Sequence, residues 1–390
     1  MCEPPIVLRS ERIVTPAGVL AGTLSIRRGR IEAITAAGVG EPDGAAVDLG
    51  HDWVVPGFID THVHGGGGAQ LHSTDPAELA AACRFHAIHG TTALLATTVS
   101  APVAELTAIL ATIARSTRAA PAGGARVLGA HLEGPFLSPG RPGAMDAATF
   151  LAPAGEVMSR LREAAAGTLS MMTLAPECPG ALALVRDLHA HGEIASLGHT
   201  DADYETVIAA ANAGARSATH LFNAMRGLHH RQPGAVGAVL DSDHLNAELI
   251  CDGEHVSPAV LRLAYRAKGA GGLRLITDAM AGAGMPDGTY PLGHAAIAVA
   301  RGRATRGQGD ILAGSTLTMD EAMRQAVAAL GLSVAQAVAL TAANPARVLG
   351  LQARKGQIAT GMDADLAVLD DALHVRATLV GGAWAHGEPV

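Results

Sequence analysis

Aromatic residues are scarce in this chain: two Trp, three Tyr and five Phe, or 3% of 390 residues. A core of this length must then be built from Ala, Val, Leu and Ile. That favours helices packed closely on a parallel sheet over an aromatic-rich sandwich. Charge is also thin, at 16% of residues against 49% hydrophobic, so a sizeable core is available. The four cysteines, Cys2, Cys83, Cys178 and Cys251, include no Cys-x-x-Cys pair. That excludes a disulfide framework and suits a reducing, cytoplasmic compartment. Basic clusters are lacking and the net charge is −8, which argues against nucleic acid as a partner. No apolar run reaches the length of a membrane span. The stretch Met1-Cys2-Glu3-Pro4-Pro5 has no basic region followed by an apolar core, so it does not read as a signal peptide. What remains is a chain whose partner is a small molecule.

What the chain does have is histidine, with 18 residues. Two of them close an apolar run, Val54-Val55-Pro56-Gly57-Phe58-Ile59-Asp60-Thr61-His62-Val63-His64. Side chains alternate along a strand, so His62 and His64 share a side. Imidazoles converging from the end of a buried strand are a natural beginning for a metal site. Gly65 to Gly68 follow, where the backbone can turn sharply or approach a ligand closely.

The two ends of the chain differ from its middle. Residues 1–55 and 350–390 are rich in short β-like segments separated by Gly and Pro, from residue 6 onward, and they predict one small β-sandwich assembled from both termini. Residues 56–349 alternate apolar strands, at 54–61, 91–98, 126–132, 168–174, 193–198, 215–220, 246–251 and 273–278, with Ala-rich helices. Eight such units predict an α/β fold, a (β/α)8 TIM-like barrel. The Gly-rich run 281–315 reads as a β-like insertion. Helices are expected at 317–330 and 334–349, the second capped by Ser333.

Chemistry-bearing residues sit where the strands end. Strand one ends in His62 and His64, strand three in His131-Leu132-Glu133, and strand five in His199. Strand six ends in His220, and strand eight in Asp278. Any one alone reads as a buried structural histidine or a helix cap. Active sites of this fold form at the carboxyl ends of the strands, so these residues are expected to converge. Imidazole and carboxylate without thiolate suit a divalent metal, Zn first, with Fe, Mn or Co as alternatives. The donors allow one ion or two: His62 and His64 for one, His199 and His220 for the other, with Glu133 near both. Such a metal makes water acidic enough to attack at neutral pH. Asp278 is then placed to take the water's proton and pass it to a leaving amine. The constellation predicts hydrolysis of a C–N bond.

At these residues the chain resembles the N-acetylglucosamine-6-phosphate deacetylases of the amidohydrolase superfamily. The matching stretches include PGFIDTHVHGG at 56–66, HLEGPF at 131–136, GHT at 198–200 and THLFNAM at 219–225. RQPGAVGA at 231–238, CDGEHV at 251–256, TDAM at 277–280 and LAGSTLTM at 312–319 also match. So do NPARVLGL at 344–351 and KGQIATGMDADLAVLD at 355–370. The resemblance implies a metal-bearing barrel with a small β-sandwich. It implies Glu133, His199 and His220 as principal ligands, His62 and His64 as holders of a second ion, and Asp278 as general base and acid. It further implies Asn223, Ala224, Arg231 and His255 as contacts to a sugar phosphate, and a homodimer in which a neighbouring subunit completes the phosphate site. One position departs from the pattern: Met145 stands where the family often has a sugar-contacting His.

Blander readings stand beside these. Arg231 could be a solvated loop arginine, and His229 and His230 read as loop residues. His131 takes a supporting role, and the remaining histidines, His72 and His86 among them, read as structural or surface residues. The competing functions are an amidohydrolase acting on another N-acyl sugar or an N-acyl amino acid, and a barrel that binds metal without catalysis.

Overall fold

Eight parallel strands follow one another in sequence order: Phe58–Val63, Thr91–Thr97, Arg126–Glu133, Leu169–Leu174, Ile194–Leu197, Ser217–Ala218, Asn246–Ile250 and Leu273–Ile276. The last returns to the first, where the Asp278 amide donates to the His62 carbonyl at 2.9 Å. The Asp60 carboxylate clamps the same seam, accepting from the Thr277 hydroxyl at 2.5 Å. This is the expected TIM-like barrel. The computed structural model describes residues 5–39, 46–118, 121–307 and 311–387. Residues 1–4, with Cys2, lie outside them, as do 40–45 and 388–390 within the β-rich ends.

Helices follow the strands and bury their apolar faces against them. Pro76–Ile88 begins with a proline in its first turn, and the Asp75 side chain accepts from the Ala77 amide. Both features satisfy or dispense with donors that a helix start leaves unpaired. Tyr204–Ala213 is capped in the same way by Asp203. Ser333 caps Val334–Val338 through a reciprocal pairing with Gln336. The expected single helix 334–349 is in fact three pieces, with a π-helical turn over Ala339–Ala343 and a last helix at Asn344–Val348. The Asn344 amide reaches across to the carbonyls of Ala270 and Leu273 at 2.6 and 2.7 Å.

A further helix, Gly234–Asp241, forms after strand six. Its two glycines and the preceding Pro233 give it poor intrinsic propensity. Six of its residues are buried, so packing decides the conformation.

The expected first strand 54–61 is also divided. Trp53–Pro56 belongs to the small sheet, and the barrel strand starts at Phe58. Gly57 is the joint. A β-carbon there would sit 2.2 Å from the Thr92 side chain.

The small sheet takes strands from both chain ends, with Trp53–Pro56 pairing to Leu366–Leu369 on one side and Ile6–Thr15 on the other. Its strands form one hydrogen-bonded network around an aliphatic cluster that includes Leu8, Leu24, Ile26, Val54, Leu366 and Leu379. The Gly-rich insertion is a four-stranded antiparallel sheet, Gly288–Leu292, Ala295–Ala300, Arg303–Arg306 and Ile311–Leu312. It carries a small core of its own around Met280, Ile297 and Val299.

Candidate metal centre

The barrel brings His62, His64, Glu133, His199, His220 and Asp278 to one point. The Glu133 carboxylate stands between two pairs of rings. Its Oε1 lies 3.1 Å from both His199 Nε2 and His220 Nε2. Its Oε2 lies 3.5 Å from His62 Nε2 and 3.3 Å from His64 Nε2. Asp278 Oδ1 approaches the same two rings at 3.4 and 3.2 Å. Two triads result, Glu133/His199/His220 and His62/His64/Asp278, each with donor atoms within 4.8 Å of one another. All six residues are buried.

Ring orientation follows from the outer nitrogens. His62 Nδ1 donates to Glu248 Oε2 at 3.0 Å, and His64 Nδ1 to the Thr97 carbonyl at 3.3 Å. His199 Nδ1 donates to the Arg141 carbonyl at 3.1 Å. These acceptors leave the inner Nε2 of each neutral ring as a lone pair. Yet His62 Nε2 and His64 Nε2 lie 3.3 Å apart, and His199 Nε2 and His220 Nε2 lie 3.2 Å apart. In the His62/His64 pair, where both outer nitrogens are held by acceptors, two lone pairs face each other at that distance and call for positive charge between them.

The electrostatics agree. Burial alone would lower the His62 pKa, but the carboxylates of Glu133, Asp278 and Glu248 hold it well above the ordinary value. Burial also opposes charge on His64, and its bonds to Asp278 and Glu133 raise it to about 9. The carboxylates thus draw cations into this pocket, and the donor set fits a divalent metal ion.

The backbone is shaped to present these groups. Among the described residues nine non-glycine residues have positive φ, and five of them are here: His199 (47°), His220 (29°), Phe222 (81°), Ala224 (51°) and Asp278 (51°). Such conformations cost on the order of 1–3 kcal/mol each and cluster at functional sites. All five lie in the segments that follow the strands Ile194–Leu197, Ser217–Ala218 and Leu273–Ile276. The glycine run after His64 makes the expected sharp turn, with Gly67 and Gly68 at φ of 63° and 84° between the paired segments Gly65–Gly66 and Ala69–Gln70. A β-carbon on Gly66 would lie 2.4 Å from the Phe85 ring. The amides of Gly67 and Gly68 donate to the carbonyls of Ala283 and Ala281, both at 2.8 Å. The close approach is to protein.

The centre forms the floor of a cavity of about 370 Å³, lined also by Met145, Asn223, Ala224, His255, Arg303 and Gly314. Asn223, Ala224 and His255 thus share one cavity with the donor cluster. His255 Nδ1 is held by Asp252 Oδ2 at 2.6 Å. Arg231 is not in the cavity: it is exposed, with Nη1 against His230 Nε2 at 2.7 Å. The arginine on the cavity wall is Arg303, from the inserted sheet, whose Nε lies 3.5 Å from Glu254 Oε2. Neither Arg303 nor Glu248 was singled out from the sequence. His131 supports the barrel interior, bonding to the Thr61 carbonyl at 3.1 Å and the Thr173 hydroxyl at 2.7 Å.

Known proteins match this chain over nearly its whole length. The model of the Amidohydrolase family matches residues 53–385. An N-acetylglucosamine-6-phosphate deacetylase from Vibrio furnissii is 40% identical over 343 residues, covering 88% of this chain and 85% of that protein. An N-acetylgalactosamine-6-phosphate deacetylase from Escherichia coli O157:H7 is 38% identical over 382 residues, covering 97% and 99%. A solved structure of a mutant N-acetyl-D-glucosamine-6-phosphate deacetylase from Mycobacterium smegmatis, in complex with N-acetyl-D-glucosamine-6-phosphate, superposes with a TM-score of 0.93. It is 40% identical, and the match covers 98% of this chain and 100% of that one. With the barrel, the donor cluster and these matches together, the chain belongs to the amidohydrolase family.

Proposed function

We propose that this protein hydrolyses the acetamide of N-acetyl-D-glucosamine 6-phosphate, giving glucosamine 6-phosphate and acetate. The observation that carries the reading is one carboxylate, Asp278, set against His62 and His64 and lining the same cavity as the Glu133/His199/His220 triad. A divalent ion held by that triad, with zinc the first choice, supplies Lewis acidity toward the acetyl carbonyl and toward water. His62 and His64 offer donors for a second ion.

Burial would raise the Asp278 pKa, but the neighbouring His62 and His64 hold it below its ordinary value. The group is therefore ionised at neutral pH and can accept a proton. As the water oxygen bonds to the acetyl carbon, its proton passes to Asp278 Oδ1. As the C–N bond breaks, Asp278 returns that proton to the amine nitrogen. Its backbone is fixed on both sides, with its amide on the His62 carbonyl and its carbonyl accepting from the Ser315 amide at 2.7 Å.

The phosphate end is read by cations at the cavity wall. Burial disfavours charge on His255, but the Asp252 carboxylate raises its pKa. Arg303 adds a planar fork suited to phosphate. Asn223 and Ala224 line the same wall. Arg231, exposed on its own subunit, contributes to the cavity of a second subunit in a homodimer. The free thiols of Cys83, Cys178 and Cys251 suit a cytoplasmic setting, and among the described residues no helix is long and apolar enough to cross a membrane.

A second reading is the galacto epimer of the same phosphosugar, favoured by the Escherichia coli relative and by Met145 on the cavity wall. Acetate release from both 6-phosphates and from the unphosphorylated sugar, with zinc and after chelation, separates these cases. Turnover should need metal and should favour one phosphorylated sugar. Asp278→Asn should lower kcat by about 10²–10⁴-fold. Near-normal turnover by that variant would defeat the assignment.

A further inference from the structure

The barrel interior contains a fully buried ion pair. Glu248 of strand seven and Arg274 of strand eight meet at 2.7 Å, each 0% exposed. Replacing such a pair by apolar residues of similar size is often neutral or stabilising, because both ions are taken out of water. Stability alone does not account for it.

Each oxygen of Glu248 has a separate task. Oε1 takes the Arg274 Nη2 and, at 3.4 Å, the Thr61 hydroxyl. Oε2 accepts from His62 Nδ1 at 3.0 Å and from the backbone amide of His220 at 3.2 Å. Arg274 is anchored in turn. Its Nε donates to Thr61 Oγ1 at 2.9 Å, and its Nη1 to the Asn246 carbonyl and side-chain oxygens at 3.1 and 2.7 Å. Its Nη2 also donates to Ser217 Oγ at 2.6 Å. All five guanidinium N–H groups find acceptors.

His220 makes this arrangement informative. His62, His64 and His199 each have Nδ1 held by an acceptor. Among the described residues, the buried His220 Nδ1 has no partner. Its ring meets Glu133 Oε1 through Nε2 at 3.1 Å, and on the outer side only its backbone, with a φ of 29°, places it. The carboxylate oxygen that holds that backbone amide is also the one that orients His62. Glu248 itself, with His62 and His131, could be read as another donor triad. Both ring nitrogens of His131 and both oxygens of Glu248 are already engaged by protein groups, so this is not an ion site.

We propose that Glu248, anchored by Arg274, is a positioning residue for both halves of the metal centre. It holds the tautomer of His62 through the ring and the placement of His220 through the backbone. The inference rests on the metal-dependent reading above.

The test is a chelator titration of the zinc-loaded full-length protein, with thermal unfolding recorded before and after zinc removal. Glu248→Gln should weaken zinc binding about 10- to 100-fold, as outer supports of metal ligands do, and should shrink the thermal shift that zinc produces. If the single variant does not fold, Glu248→Gln with Arg274→Gln removes the unpaired cation and should show the same weakening. A lower thermal midpoint with wild-type zinc affinity would overturn the proposal and leave a merely structural pair. Wild-type protein that binds no zinc at all would overturn the metal reading itself.

Discussion

The two halves of the metal centre are made from different kinds of backbone. His62 and His64 sit at the end of a strand, with 0% and 3% of their surface exposed and Nδ1 of each ring held. His199 and His220 sit at left-handed residues just past their strands. His199 leans on a carbonyl of the 141–145 loop, and among the described residues the outer nitrogen of His220, Nδ1, has no partner at all. The first half is built as part of the barrel, the second as part of its loops. The difference follows from what lies next to each. Past His220 come Phe222 and Ala224, again with positive φ, and Asn223 and Ala224 form cavity wall. Turning the chain at the ligand brings its neighbours to the cavity. The strand-rooted half gives up that reach and gains rigidity.

Glu133 joins the halves, so removing its charge is the severest way to break the comparison. Glu133→Gln should strip both positions of metal and lower acetate release by about 10³-fold or more, since Lewis-acid stabilisation supplies several kcal/mol. Metal analysis of the purified variant checks it. A fully metallated, active variant would mean that the two halves are independent. Next comes the asymmetry. His220→Gln should approach the loss seen for Glu133→Gln, whereas His62→Gln should cost about tenfold, near 1.4 kcal/mol, with one ion retained. Equal losses in the two variants would erase the distinction between an essential half and an auxiliary one.

How far the sequence reveals this depends on distance along the chain. His62 and His64 are two residues apart at the end of an apolar run, and each other ligand stands at the end of an apolar segment. Barrel topology then carries them to one place. Glu248 gives no such sign. It lies within the run Asn246-Ala247-Glu248-Leu249-Ile250, and its partner Arg274 is on the next strand. Only closure of the barrel shows that its carboxylate faces His62. Arg231 and Arg303 show the same limit in reverse. A motif marks Arg231, but in a single subunit the inserted sheet brings Arg303 to the cavity. Helix Gly234–Asp241 and the joint at Gly57 are hidden for a third reason: burial overrides weak propensity in one, and steric contact with Thr92 interrupts an unbroken apolar run in the other.

The smallest effect sharpens the comparison from behind the strand-rooted half. His86 is fully buried beneath the glycine run, and its Nε2 donates to the Gly65 carbonyl at 3.0 Å. Burial lowers its pKa from 6.5 to about 4. The unfolded chain therefore binds a proton here that the folded chain refuses between those two values. The contribution is fully present above pH 6.5 and is lost progressively as pH falls toward 4. From pH 7 to pH 5 the loss is about 2 kcal/mol. His86→Gln keeps an amide donor for the Gly65 carbonyl but has nothing to titrate. Denaturant unfolding of both proteins at pH 7 and pH 5 isolates the term, because every other titrating group is common to both. The variant should lose about 2 kcal/mol less than the wild type over that interval. If the two lose the same amount, His86 accepts its proton in the folded state, and the packing behind His64 is looser than the buried contacts of Gly65 and Gly66 imply.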